Sequence, residues 1–262
     1  MRILKNMEKR GQVTTFVILG VIIVALILIF LYARQTILLP PTKENLAIEM
    51  DSIKKHINDC TNSISENPIR VIGLQGGYIE TPEDTYRLYN DSRISYLCYS
   101  IEDSPTCYNR LLLLNHMEEE LQQELESGLK GCLELKSFER FRNFNVITTK
   151  DPEVDINIQQ TKILVNINYP VTLKSKRDAL EIREDKFTNS LDYPLGELYD
   201  VAQEILSAES QIGDMDILSY MIFKKGKYKI HKEKPYPDKI YILKREDNPY
   251  IFQFAVQGQP SK

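Results

Sequence analysis

Between Val13 and Tyr32 the chain reads VTTFVILGVIIVALILIFLY, twenty residues without a charge. As a helix this run is about 30 Å long, the thickness of a bilayer hydrocarbon core. It predicts one transmembrane helix over 13–32. Beyond Pro40 and Pro41 the apolar positions fall at intervals of three and four: Leu46, Met50, Ile53, Ile57, Cys60 and Ile64. That seam predicts a helix that Thr42 can cap and Pro68 should end. A short coiled coil and an amphipathic helix lying on its own domain both suit it. The second is favoured, because the run is barely three heptads and Cys60 sits in the seam. Met117, Leu121, Leu125, Leu129 and Cys132 form a second stripe, on a helix near 116–135.

The period then changes to two. Phe144 and Val146 alternate with polar residues, as do Val154, Ile156 and Ile158, and then Ile163, Val165, Ile167 and Tyr169. With a strand near 179–188 they predict an antiparallel meander of half-buried strands. Pro194 opens a helix to about Ser207, and a short helix follows near 214–222. Strands at 227–232, 239–245 and 250–256 come last. ISYLCYSI (94–101) reads as an earlier strand, and Thr81-Pro82-Glu83-Asp84 as a turn or short capped helix. In Val71–Ile79 three of the chain's eleven glycines fall within five residues, which predicts a turn and not a phosphate cradle. The expected fold class is α+β: one N-terminal transmembrane helix, then a domain of amphipathic helices and antiparallel meander.

Charge gives this plan an orientation. Over 262 residues the net charge is −4, but residues 1–12 carry +3 and residues 33–262 carry −7. A basic flank stays inside. The expectation is a cytoplasmic tail (1–12), a span (13–32), a Pro-containing linker (33–42) and an extracellular domain (43–262), with a subdivision near 210 as an option. The expected location is the cell membrane, and the first partner the lipid bilayer. The acidic outer part argues against nucleic acid. LLPP after the span lacks an A-x-A cleavage pattern, so the segment is expected to be retained.

All four cysteines, Cys60, Cys98, Cys107 and Cys132, follow the span. An oxidising compartment then predicts disulfides. Three pairings are possible. Cys60–Cys132 with Cys98–Cys107 is favoured, because Cys60 and Cys132 lie on apolar helix faces while Cys98 and Cys107 bracket the Asp103-Ser104-Pro105 turn. Buried free thiols are the alternative.

No catalytic constellation is present: no G-x-S-x-G, H-E-x-x-H, S-x-x-K or Walker pattern. No cofactor or metal is expected. His116 with Glu118, Glu119 and Glu120 reads as a solvated acidic first turn before it reads as a metal patch. Asp151, Glu153 and Asp155, and Asp214 with Asp216, lack the spacing of a calcium loop. The lysines between Lys224 and Lys234 suit either an anionic surface or a protected strand edge.

Lys9-Arg10-Gly11-Gln12 directly before the apolar run resembles an archaeal class III, type IV pilin-like signal. The resemblance implies cleavage between Gly11 and Gln12 with the apolar helix kept. It also implies self-assembly or engagement of secretion or pilus machinery, as a minor filament or pseudopilin-type subunit. Phe16 stands where that family carries a glutamate that registers subunits. Over residues 9–209 the order of segments, with IGLQGGYI, GLKGCLEL and VNINYPV, resembles uncharacterised single-span surface proteins of small-genome archaea. Cys60 and Cys132 fall at corresponding helix positions there, and this resemblance supports their pairing. An anchored extracellular binding or adhesion module is the alternative function, and an extracellular enzyme a third.

Overall fold

The computed structural model describes residues 7–37, 43–102, 104, 106–139, 144–176 and 179–258; the side chains of 7–15, 33–37, 137 and 139 lie outside that description. Residues 1–6 of the tail, the linker prolines, Thr42, Asp103 and Pro105 are therefore outside it.

Helix α1 spans Met7–Ile37. The expected membrane span is overturned: among the described residues no helix is long and apolar enough to cross a membrane. The described side chains of α1 cover 16–32. These side chains are bare all the same, every large hydrophobic from Phe16 to Tyr32 being at least 50% exposed.

Helix α2 spans Lys43–Leu74 and buries the predicted seam, with Leu46, Met50, Ile53, Ile57 and Cys60 inside the fold. It does not stop at Pro68, which lies within the helix. Proline removes one helical hydrogen bond and costs about 3 kcal/mol in a helix interior. Here burial of Thr61, Ser65, Ile69 and Ile72 on either side holds the helix through it. Gly76 and Gly77, both with positive φ, then turn the chain. Gly73 is needed for contact: a Cβ there would sit 2.2 Å from the Ile251 carbonyl oxygen.

Strands β1 (Tyr86–Tyr89) and β2 (Ser92–Ser100) form a hairpin around Asn90 and Asp91, both in the left-handed region. Strand β3 (Cys107–Asn109) pairs with β2, and α3 covers Leu114–Cys132. A 3-10 turn at Leu135–Glu139 leads to β4 (Phe144–Thr148), β5 (Glu153–Ile158), β6 (Ile163–Ser175) and β7 (Glu181–Leu191). These four make an antiparallel sheet but not the expected meander, because β4 skips β5 and pairs with β6. Long β6 sits at its centre, with β4 and β5 sharing one side and β7 on the other. Pro170 lacks a ladder donor and falls where the β6–β7 register shifts, between Asn168 and Val171.

Helices α4 (Leu195–Ile212) and α5 (Ile217–Phe223) follow, then β8 (Tyr228–Glu233), β9 (Lys239–Arg245) and β10 (Ile251–Val256). The last three do not form a separate meander. Strand β10 pairs antiparallel with β9 and parallel with β2, so the second sheet is six-stranded and mixed, in the order β1-β2-β10-β9-β8 with β3 beside β2. The fold is α+β, with one main core shared by α2, α3, α4 and both sheets.

Candidate functional site: a groove between the two sheets

A concavity of about 850 Å³ lies where three distant segments meet. The second half of α2 supplies Asn62, Glu66 and Arg70, the end of β7 leads to Asp192 and Tyr193, and the β9–β10 connection brings Asn248, Pro249 and Tyr250. Each wall is fixed. The Tyr250 hydroxyl donates to the Ile69 carbonyl at 3.0 Å, and the Gln253 amide donates to the Leu74 carbonyl at 2.8 Å. Asn248 accepts from the Tyr250 N–H at 2.9 Å and donates to the Asp192 carbonyl at 3.4 Å. Asn189 donates to Asn62 at 2.8 Å, tying β7 to α2. The floor is aromatic: the rings of Tyr193 and Tyr250 meet edge to face at 5.3 Å. Burial, and then the nearby Glu66, raise the Tyr193 hydroxyl above its ordinary pKa. The rim is polar and exposed at Glu66, Arg70 and Asp192. No histidine or cysteine lines the groove. Its lining offers ring contacts and hydrogen-bonding groups.

A second polar assembly lies along α4. Glu197 at its start and Glu209 near its end are 5% and 1% exposed. Glu197 accepts from the Tyr228 hydroxyl at 2.8 Å and from Arg245 at 3.2 Å, and pairs with Lys227. Glu209 accepts from the Tyr241 hydroxyl, and from Lys239 at 2.7 Å. Lys239 also donates to the Gly213 carbonyl at 2.6 Å and to Asp214 at 3.0 Å. All three ammonium protons are thus engaged. Burial works against that charge, but Glu209 and Asp214 outweigh it and raise the Lys239 pKa. The lysine is a strut, not a free base.

Outside the groove, the residues singled out in the sequence are dispersed. The four cysteines form two disulfides, Cys60–Cys132 with Cα atoms 6.0 Å apart and Cys98–Cys107 at 5.4 Å. The first joins α2 to α3, and the second closes the β2–β3 hairpin. Gly11 and Gln12 lie within α1, and only their backbone is among what is described. Glu118 and Glu120 are not a solvated first turn. Glu118 accepts from the Ile158 N–H at 2.7 Å, and Glu120 accepts from the Ile79 N–H. His116 Nε2 lies 3.2 Å from Glu120.

The other acids have protein partners as well. Asp151 pairs with Lys130 at 3.3 Å and Glu153 with Lys150 at 2.7 Å, while Asp155 accepts from Asn166 at 3.2 Å. Asp216 caps α5 through Ser219. Among the described residues no group of three or more His, Cys, Asp or Glu is placed to hold a metal ion. The lysine stretch is largely paired, Lys224 with Glu204, Lys229 with Glu246 and Lys232 with Asp214.

The groove was missed in the sequence because its walls come from near residues 66, 192 and 249. Only the Tyr193-Pro194 and Asn248-Pro249-Tyr250 turns gave a local hint of structured loops carrying aromatic residues. No protein-family model, curated protein or solved structure matches the chain.

Proposed function

We propose that the protein is a non-enzymatic cell-surface subunit that joins other subunits through α1, the ordered head being carried outside the cytoplasm. The observation behind this reading is the bare apolar surface of α1, from Phe16 to Tyr32. A globular fold buries such a surface unless something else covers it. The head completes its core without it, since none of these residues belongs to the core clusters. The two disulfides suit an oxidising compartment. The pilin-like Lys9-Arg10-Gly11-Gln12 supplies the route: processing between Gly11 and Gln12, then packing of α1 against equivalent helices or against secretion or pilus machinery. Mass spectrometry of the mature protein tests it. A chain beginning at Gln12 supports the reading, and a mature chain that still begins at Met1 removes it.

The groove favours a second reading, an extracellular binding or adhesion module. It needs neither cleavage nor assembly. A detergent-solubilised protein that stays monomeric and is stabilised by a ligand would favour it over the first.

A further inference from the structure

From the lining of the groove we infer that it binds a neutral saccharide, a stretch of glycan two or three rings long. This rests on the binding-module reading and names its ligand class. A sugar ring offers an apolar C–H face and a rim of hydroxyls that both donate and accept. The groove matches each part. Half-buried Tyr193 and exposed Pro249 offer an apolar surface, and buried Tyr250 backs them, locked by its bond to Ile69. Aromatic rings suit such a face because they give large contact area at little conformational cost.

The rim mixes acceptors and donors: Glu66 and Asp192 accept, and Arg70 donates. Two acids against one guanidinium disfavour an anionic ligand. A hydroxylated neutral ring uses all three without burying a charge of its own. The volume, about 850 Å³ and open to solvent, lies in the range of small-ligand sites. Three elements from different parts of the chain hold these groups, so the arrangement is set before any ligand arrives, which lowers the ordering cost of binding.

The test is saturation-transfer NMR on the full chain in a detergent without a sugar headgroup, since a maltoside would itself be a probe. The probes are chitotriose and mannotriose, with trigalacturonate as the charged comparison and an extended uncharged decapeptide as the non-sugar comparison. Expected is transfer from the protein to the ring protons of at least one neutral trisaccharide. Its affinity should fall by about tenfold or more in Tyr193→Ala and in Glu66→Ala, and hold in Tyr236→Ala. Tyr236 is exposed outside the groove, and Glu66 is an exposed position whose replacement spares the core. Equal binding by the groove variants and the wild type overturns the assignment to this site. Stronger binding of trigalacturonate overturns the preference for a neutral ligand. If only the decapeptide binds, dependent on Glu66, the saccharide class is wrong and the binding-module reading survives. If no probe binds, both fall.

Discussion

Asp214 shows how one carboxyl group joins a helix end to a sheet. Burial pushes its pKa up, but hydrogen bonds from Lys232 and Lys239 outweigh that and hold it at about 2. Its ordinary value is 3.8. A depressed folded-state pKa means stability that is present above the unfolded value and lost as pH falls through the folded one. The window is therefore from about pH 4 down to about 2. Denaturant midpoints of the wild type should drop across it more steeply than those of Asp214→Asn; parallel curves would remove the linkage. Glu209, a neighbour in the same network, should matter more, because it is buried. Glu209→Ala leaves Tyr241 without its acceptor and Lys239 without one of three. It should cost about 3 kcal/mol or more in equilibrium unfolding. A loss below about 1 kcal/mol would mean that water replaces the carboxyl group.

At the scale of elements, the disulfides differ in reach. Cys60–Cys132 closes a sequence separation of 72 and Cys98–Cys107 one of 9. Loop-closure entropy gives about 4 kcal/mol for the first and about 3 kcal/mol for the second. The Cys60→Ser/Cys132→Ser pair should therefore unfold at lower denaturant than Cys98→Ser/Cys107→Ser; the reverse order would mean that the hairpin clamp governs the core. Another link between elements was hidden in the sequence. Glu118 and Glu126, eight residues apart on α3, accept from Ile158 and Val154, four residues apart on edge strand β5. Eight helical residues span about 12 Å and four strand residues about 13 Å, so the two spacings match. The helix thereby covers an open sheet edge.

The alternating strands between Val154 and Tyr169 were legible because strict alternation leaves little choice, although the order in which they pair was not. The seam from Leu46 to Cys60 was legible for the same reason at a different period. What stayed hidden depended on partners far along the chain. They were the passage of α2 through Pro68, the β1–β2 hairpin behind Asn90-Asp91, the parallel β2–β10 pairing and the groove. Local pattern reports which face of an element is buried, but not against what.

For the whole molecule, the fifteen tyrosines provide a built-in probe. Burial, and then its hydrogen bond to Asp238, pushes Tyr96 up to about 12. Burial raises Tyr220, Tyr241 and Tyr250 as well, with Glu204, Glu209 and Tyr193 adding to it in turn. A raised folded-state value means stability fully present below the unfolded value of 10 and lost as pH rises through the folded one. Phenolate absorbance should therefore stay short of its full amplitude near pH 10 and reach it only as the fold gives way at higher pH. A single transition with full amplitude near pH 10 would contradict this packing.

The six-stranded sheet also sets an order of events. Strand β10 separates β2 from β9, yet it follows every other strand in the chain. While the polypeptide emerges from a ribosome, β2 has no partner on that side until the other described strands have been made, so the sheet closes last, around β10.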